Sequence, residues 1–329
     1  MSFTRHLFGL AAAAVLTAGA ASAQTYTMTM AHVLSDQSPY QVTLNEFKRL
    51  VEERSNGDIA VEIQCCGAAG NEGRAIQSMR TGILTGGFVG GSTLETIVPA
   101  YRVLSLPYLF EDKSQAYEIL QSDMGREMLD LLGEYGMYGL GFGSIYERSV
   151  ASKDPARVGG VEDMEGLKIR VLPTPGFVEA YKAMGTQPTP MSYGELFMAL
   201  SNNVVDAIEI SPDALVADKF VEVVTSYTMT KAHQSTTVMV LSDSWWQGLP
   251  ADVQELIQTA ASEAIAVGID AHDGLADAGM DTAREMGVEI IEPEMAPLMD
   301  AARKSWDVIL TDQPEATEYL RRFQAALGG

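Results

Sequence analysis

Thr25-Tyr26-Thr27-Met28-Thr29-Met30-Ala31-His32 (TYTMTMAH) alternates polar and apolar side chains and reads as a strand. Together with the segments on its carboxyl side it decides the fold. From Pro39 to Arg54, Val42, Phe47, Leu50 and Val51 recur at helical spacing, Asn56-Gly57-Asp58 makes a turn, and Ile59–Gln64 (IAVEIQ) is a second strand. Glu72 to Arg80 predicts a helix and Gly86 to Gly91 a short glycine-rich strand. This β-α-β-α-β order argues for an α/β fold with a parallel sheet covered by helices on both faces. A second unit is expected to begin near Gly139, with strands at Tyr138–Ser144, Leu167–Val171 and Val205–Glu209 and helices at Pro175–Met184 and Tyr193–Leu200. The longest helical pattern is Asp252–Met286, with a break expected near Gly268 or Gly274. Two α/β units without a low-complexity linker imply several crossing connections. Ligands of such units sit at the carboxyl ends of strands, in the cleft between them.

The chain has 329 residues, 47% hydrophobic and 20% charged, which excludes a disordered or fibrous polypeptide and permits a large core. A net charge of −22 excludes nucleic acid and anionic membrane surfaces as partners, because both need a basic stripe. At the amino terminus, Arg5 and His6 precede the apolar run Leu7 to Ala20, and Ala21-Ser22-Ala23 is a small-residue cleavage site. The run is shorter than the roughly 20 apolar residues that span a bilayer. Residues 1–23 therefore read as a signal peptide, and the mature protein is expected in the periplasm with no direct membrane insertion. Cys65 and Cys66 are adjacent and read as two small residues after a strand, since a vicinal bridge closes a strained ring. No dedicated metal-ligand spacing is present.

The motifs of catalysis are missing too. There is no Gly-x-Ser-x-Gly elbow and no P-loop, and Gly139-Leu140-Gly141-Phe142-Gly143 breaks the dinucleotide-loop spacing inside a strand. A better lead is Gly166-Leu167-Lys168-Ile169-Arg170-Val171-Leu172-Pro173, which sets an arginine in an otherwise apolar strand. A buried guanidinium must be paired, so Arg170 either meets a protein acid or points into a cleft. There its planar fork suits a carboxylate.

Five ordered segments carry a family resemblance across essentially the whole mature chain. They are Gly67-Ala68-Ala69-Gly70-Asn71-Glu72, then Leu104-Ser105-Leu106-Pro107-Tyr108-Leu109-Phe110, then Glu165-Gly166-Leu167-Lys168-Ile169-Arg170-Val171. Pro188-Thr189-Pro190-Met191 with Glu195-Leu196-Phe197-Met198-Ala199-Leu200 comes fourth, and Val205-Asp206-Ala207-Ile208-Glu209 fifth. The chain thus resembles the solute-binding proteins of TRAP transporters, the DctP-like family. The resemblance implies a two-lobed periplasmic-binding-protein fold with mixed sheets, crossing hinge strands and a long helix spanning both lobes. Its approximate division is 24–147 plus 236–275 for lobe 1, and 148–235 plus 276–329 for lobe 2. It also implies capture of a small organic acid for a TRAP membrane permease, with no cofactor and no enzymatic step.

By the same resemblance Arg170 holds the ligand carboxylate, Arg148 is a second basic position near the hinge, and Glu72 is a polar contact from lobe 1. His233 lies near the cleft on a returning strand. His32 ends the first strand and either faces the ligand or is a satisfied core residue. Tyr146 and Trp245 offer apolar walls or ordinary packing. The family's motif places an Asn after the Glu; here Glu209 is followed by Ile210, which cannot donate a hydrogen bond, so Ser211 substitutes or the ligand differs. If Arg148, Arg170, Glu72 and Glu209 all line the pocket their formal charges cancel, which favours a monoanion with hydroxyls, such as a uronate. Hydroxy- or keto-acids and ectoine-like zwitterions remain as alternatives. So do an exported hydrolase or lyase acting on an acidic sugar, and a binding protein that docks a sensor kinase.

Overall fold

The computed structural model describes residues 25–328; the signal segment expected over 1–23 lies outside the described residues. Eleven strands form two mixed sheets among the described residues. The first contains β1 (Tyr26–Ala31), β2 (Ile59–Gln64), β3 (Gly86–Gly90), β4 (Met137–Phe142) and β10 (Thr237–Ser242), in the order β2-β1-β3-β10-β4. The second contains β5 (Tyr146–Ser152), β6 (Lys168–Val171), β7 (Gln187–Pro190), β8 (Ala207–Ile210), β9 (Ser226–Ser235) and β11 (Glu289–Ile291), in the order β11-β9-β5-β8-β6-β7. Each sheet is the centre of one lobe.

The parallel reading holds for β2, β1 and β3, but β10 enters antiparallel between β3 and β4. The strand expected to open the second unit is β4, and it belongs to the first sheet. Its partner is β10, about a hundred residues later in the chain, so no local pattern could reveal the pairing.

The first sheet separates two apolar layers. On one face Phe47, Leu44 and Val51 of the helix Pro39–Arg54 pack with Ile257, Ala261 and Ala264. That helix starts at Ser38, whose hydroxyl accepts the Gln41 amide, and has Pro39 in its first turn. On the other face Ile76 and Met79 of the helix Glu72–Arg80 pack with Leu94, Tyr101 and Leu104. Ile309, Ala316, Tyr319 and Phe323 join this second layer. The C-terminal helix Pro314–Ala326 thus packs on the first lobe, whereas the resemblance assigns 276–329 to the second. Its apolar side suits either lobe, and only the docked chain path decides between them.

Four passages link the lobes among the described residues: the turn between β4 and β5, the step from β9 to β10 at Thr236, the helix Ala251–Glu285, and the return from the helix Met295–Arg303 to the C-terminal helix. This helix is continuous, without the break expected at Gly268 or Gly274. Gly268 is there for proximity. A Cβ on it would stand 1.9 Å from Thr43 Oγ1 on Pro39–Arg54. Gly279 does the same in the other lobe, where a Cβ would stand 2.5 Å from the Pro212 carbonyl. One unbroken rod thereby touches both lobes at points where only glycine fits.

Candidate functional site

A cavity of about 640 Å³ lies between the lobes, lined from the carboxyl ends of strands and the crossing segments. Leu34 comes from the loop after β1, Glu72 from the start of its helix, and Thr93 from the turn after β3. The second lobe contributes Arg148, Arg170 and Ser211, and Thr236 comes from the crossing.

Arg148, Arg170 and Glu209 form one cluster. Arg170 has no exposed side-chain surface, and its Nη1 donates to Glu209 Oε1 at 3.0 Å. Its Nε and Nη2 donate to the Met191 carbonyl at 3.0 and 2.8 Å. Arg148 donates through Nε to the other carboxylate oxygen, and through Nη2 to the Glu209 carbonyl at 2.8 Å. Oε1 of Glu209 also accepts the Leu172 amide at 3.1 Å. β8 lies between β5 and β6, so the Glu209 carboxylate reaches both arginines from the central strand. Burial, opposed by Glu209 and reinforced by the charge of Arg148, pulls Arg170 down to about 10, which leaves it charged at neutral pH. Burial also works against the charge of Arg148, but Glu209 outweighs it and raises that pKa. Two guanidiniums and one carboxylate leave a single net positive charge. No hydrogen bond among the described residues uses Nη1 of Arg148.

Glu72 lines the cavity from lobe 1 but is engaged by the protein: it accepts the Gly90 amide at 2.9 Å and the Thr93 hydroxyl. Burial pushes its carboxyl above the ordinary range, against those bonds and the two arginine charges.

The expected site residues divide into three groups. Arg148, Arg170, Glu72 and Ser211 line the cavity. Glu209 lies beneath the guanidiniums with no exposed surface, as their partner. His32 and His233 are turned away from the wall: His32 Nε2 is 2.9 Å from Gln41 Oε1, and the His233 ring stacks on Phe177 with centroids 3.9 Å apart. Both are core residues. Ile210 is likewise buried in the second lobe's core, so its lack of a donor does not alter the wall; the next residue, Ser211, does the lining. Tyr146 lines the cavity, whereas Trp245 packs beside the first lobe's core. Sequence reasoning missed Tyr40, Asn71, Thr93, Ser192, Tyr193 and Thr236. The rule that ligands meet the carboxyl ends of strands points to the turns carrying Asn71 and Thr93, once each strand is extended to its adjoining loop. Cys66, a free thiol, also reaches the wall.

Burial, helped by the charge of Arg148, pushes the His233 pKa down to about 3 from an ordinary value of 6.5. A base whose folded pKa is depressed contributes its full stability above the unfolded pKa, and loses it as pH falls from 6.5 towards 3. Replacing His233 with Gln should reduce the slope of unfolding free energy against pH between pH 6 and 4 by about 1.4 kcal/mol per unit, read from urea melts. Equal slopes for the two proteins would contradict a buried neutral His233.

Among the described residues no helix is long and apolar enough to cross a membrane, and no cluster of His, Cys, Asp and Glu could hold a metal ion. The solved structures most similar in fold include a TRAP periplasmic solute-binding protein from a Sulfitobacter species with bound β-D-galacturonate. It is 25% identical, with a TM-score of 0.88 over 91% of this chain and 99% of the other. Another, from Pseudomonas putida with bound D-glucuronate, is 26% identical, with a TM-score of 0.86 over 91% and 97%. The C4-dicarboxylate-binding periplasmic protein DctP of Rhodobacter capsulatus is 24% identical over 93% of this chain and 90% of its own length. Residues 30–313 match the family described as bacterial extracellular solute-binding protein, family 7, or DctP. With two lobes, an arginine-walled cleft between them and a family match over most of its length, the chain belongs to the DctP family of extracellular solute-binding proteins.

Proposed function

We propose that the protein captures a sugar acid of the uronate class in the periplasm and delivers it to a TRAP membrane permease. The observation that carries this reading is the single net positive charge of Arg148 and Arg170 over Glu209, set in the cavity wall. One net charge matches a monoanion, and a dicarboxylate would bring a second charge with no partner. The uronates bound by two structural relatives are monoanions of this kind. The two arginines hold the carboxylate, and the Nη1 of Arg148 is the donor most open to it.

Micromolar capture needs about −8 kcal/mol, and a charge-assisted hydrogen bond nets only about 1.5–3 kcal/mol. The arginine pair therefore anchors the ligand, and contacts from lobe 1 made on hinge closure supply the remainder. The Asn71 amide already reaches the Ser192 hydroxyl across the cleft at 3.4 Å, which marks where the lobes meet. The closed surface is what the permease reads.

A thermal-shift comparison tests the assignment. At a hundredfold excess over Kd, D-galacturonate or D-glucuronate should stabilise the protein by about 2.7 kcal/mol. That corresponds to a rise in Tm of roughly 5–10 °C. Succinate at the same concentration should leave Tm unchanged; a larger shift with succinate than with either uronate would assign the site to dicarboxylates.

A further inference from the structure

The helix Pro175–Ala183 follows β6 in the second lobe, and its amino terminus is capped from the first. A helix leaves its first amides without partners, and a Ser, Thr, Asp or Asn just before it ordinarily accepts one of them. Thr174 stands at that position, yet its side chain makes no capping bond. Pro175 has no amide to offer, so Gly176 carries the first free one, and it donates to Oε1 of Glu95 at 2.8 Å. Glu95 lies between β3 and β4 in the first lobe and is only 3% exposed. The approach requires glycine: a Cβ on Gly176 would stand 2.3 Å from Cβ of Ser105 and 2.9 Å from Oε2 of Glu95. Burial pushes the Glu95 carboxyl above the ordinary range, opposed first by the Gly176 amide. Both ends of this bond lead to the cavity. On the first lobe, Thr93 lines the wall and donates to Glu72, with Leu94 alone between Thr93 and Glu95. On the second, the chain runs from Arg170 through Val171, Leu172, Pro173, Thr174 and Pro175 to Gly176, and Leu172 and Pro173 line the wall. That segment is stiff, because two prolines fix φ and Glu209 holds the Leu172 amide. The helix itself straddles the lobes: Ala180 belongs to the first lobe's layer with Ile76 and Leu104, while Phe177 and Tyr181 pack in the second.

We propose that Glu95 is a positioning residue of the binding site: an interlobe cap that fixes the Arg170 wall against the Glu72 and Thr93 wall, so that one ligand is gripped by both. A cap from Thr174 would hold the helix as well and leave the lobes independent. Supplied by Glu95, the cap makes the start of the helix, and the arginine wall joined to it, follow the first lobe. Without it the lobes open wider, fewer molecules stand ready to grip, and apparent affinity falls by the same fraction. Glu95 is not among the residues lining the cavity, so that fraction is the same for every ligand. The inference rests on the cleft as the binding site, and on the uronate reading only for the choice of ligands.

The test is calorimetry on the full mature chain with D-galacturonate and with D-glucuronate, joined to small-angle scattering of the ligand-free proteins. Glu95→Ala should weaken both uronates about tenfold and by the same factor, because a buried amide loses its acceptor. Its ligand-free radius of gyration should exceed that of wild type. Glu95→Gln keeps an oxygen for the Gly176 amide and should bind within about threefold of wild type. Melting curves confirm that each protein is folded at the temperature of measurement. An alanine variant within about threefold of wild type, a loss that differs more than about threefold between the two uronates, or a glutamine variant as weak as the alanine one overturns the positioning role and leaves the uronate assignment standing. Wild type that binds neither uronate overturns that assignment instead; scattering then decides the role of Glu95, and a radius unchanged in Glu95→Ala overturns it.

Discussion

Arg170→Ala is expected to lower affinity for D-galacturonate by roughly 30-fold to several-thousand-fold, which is the 2–5 kcal/mol range of removing one member of a buried, hydrogen-bonded charge pair. The loss is electrostatic as well as geometric. With both arginines present the cluster around Glu209 carries one net positive charge; without Arg170, Arg148 and Glu209 cancel, and an anion meets a neutral wall. Arg170→Lys keeps the charge but loses the fork that bonds Glu209 and the Met191 carbonyl together, so its affinity should fall between the two. Calorimetry well below the melting range of each protein separates binding from folding. An alanine variant within threefold of wild type would remove Arg170 from the ligand's anchor and leave it as a purely internal strut.

The largest effect on stability is expected at Glu209. Its carboxylate is fully buried and lies between two guanidiniums, so Glu209→Ala leaves two like charges facing each other out of water. Removing one partner from such a cluster costs about 3–5 kcal/mol, which for a chain of this size lowers Tm by roughly 6–15 °C. A specific signature accompanies the loss. A uronate supplies the missing carboxylate, so saturating galacturonate should raise Tm by more degrees in Glu209→Ala than in wild type. Differential scanning calorimetry with and without ligand reads both quantities. A variant that melts within about 2 °C of wild type, or gains less from the ligand, would contradict this charge arrangement.

Part of the site is legible in the sequence. Arg170 stands out because an arginine in an apolar strand must find a partner, either a protein acid or a group in the cleft. The structure answers with both: Glu209 holds the guanidinium from below while Arg170 still lines the cavity. That outcome needs the adjacency of β6 and β8, whose contributing residues lie 39 apart in the chain. His233 and His32 are hard to place from sequence, because an imidazole near the end of a strand reads the same whether it points into a cleft or into the core. Stacking on Phe177 and the contact with Gln41 are tertiary facts. Ile210 reads in sequence as a loss to the pocket, although alternation along β8 sends it to the opposite face from Glu209.

Short-range order can be read from the chain alone: TYTMTMAH as a strand, Pro39–Arg54 as a helix, and the β-α-β succession beyond them. Each depends on contacts within a few residues, where steric and hydrophobic periodicity act. Strand neighbours depend on segments a hundred residues apart, which is why the strand pattern puts β4 in the second unit and the family resemblance puts the C-terminal helix in the second lobe, while packing puts both in the first.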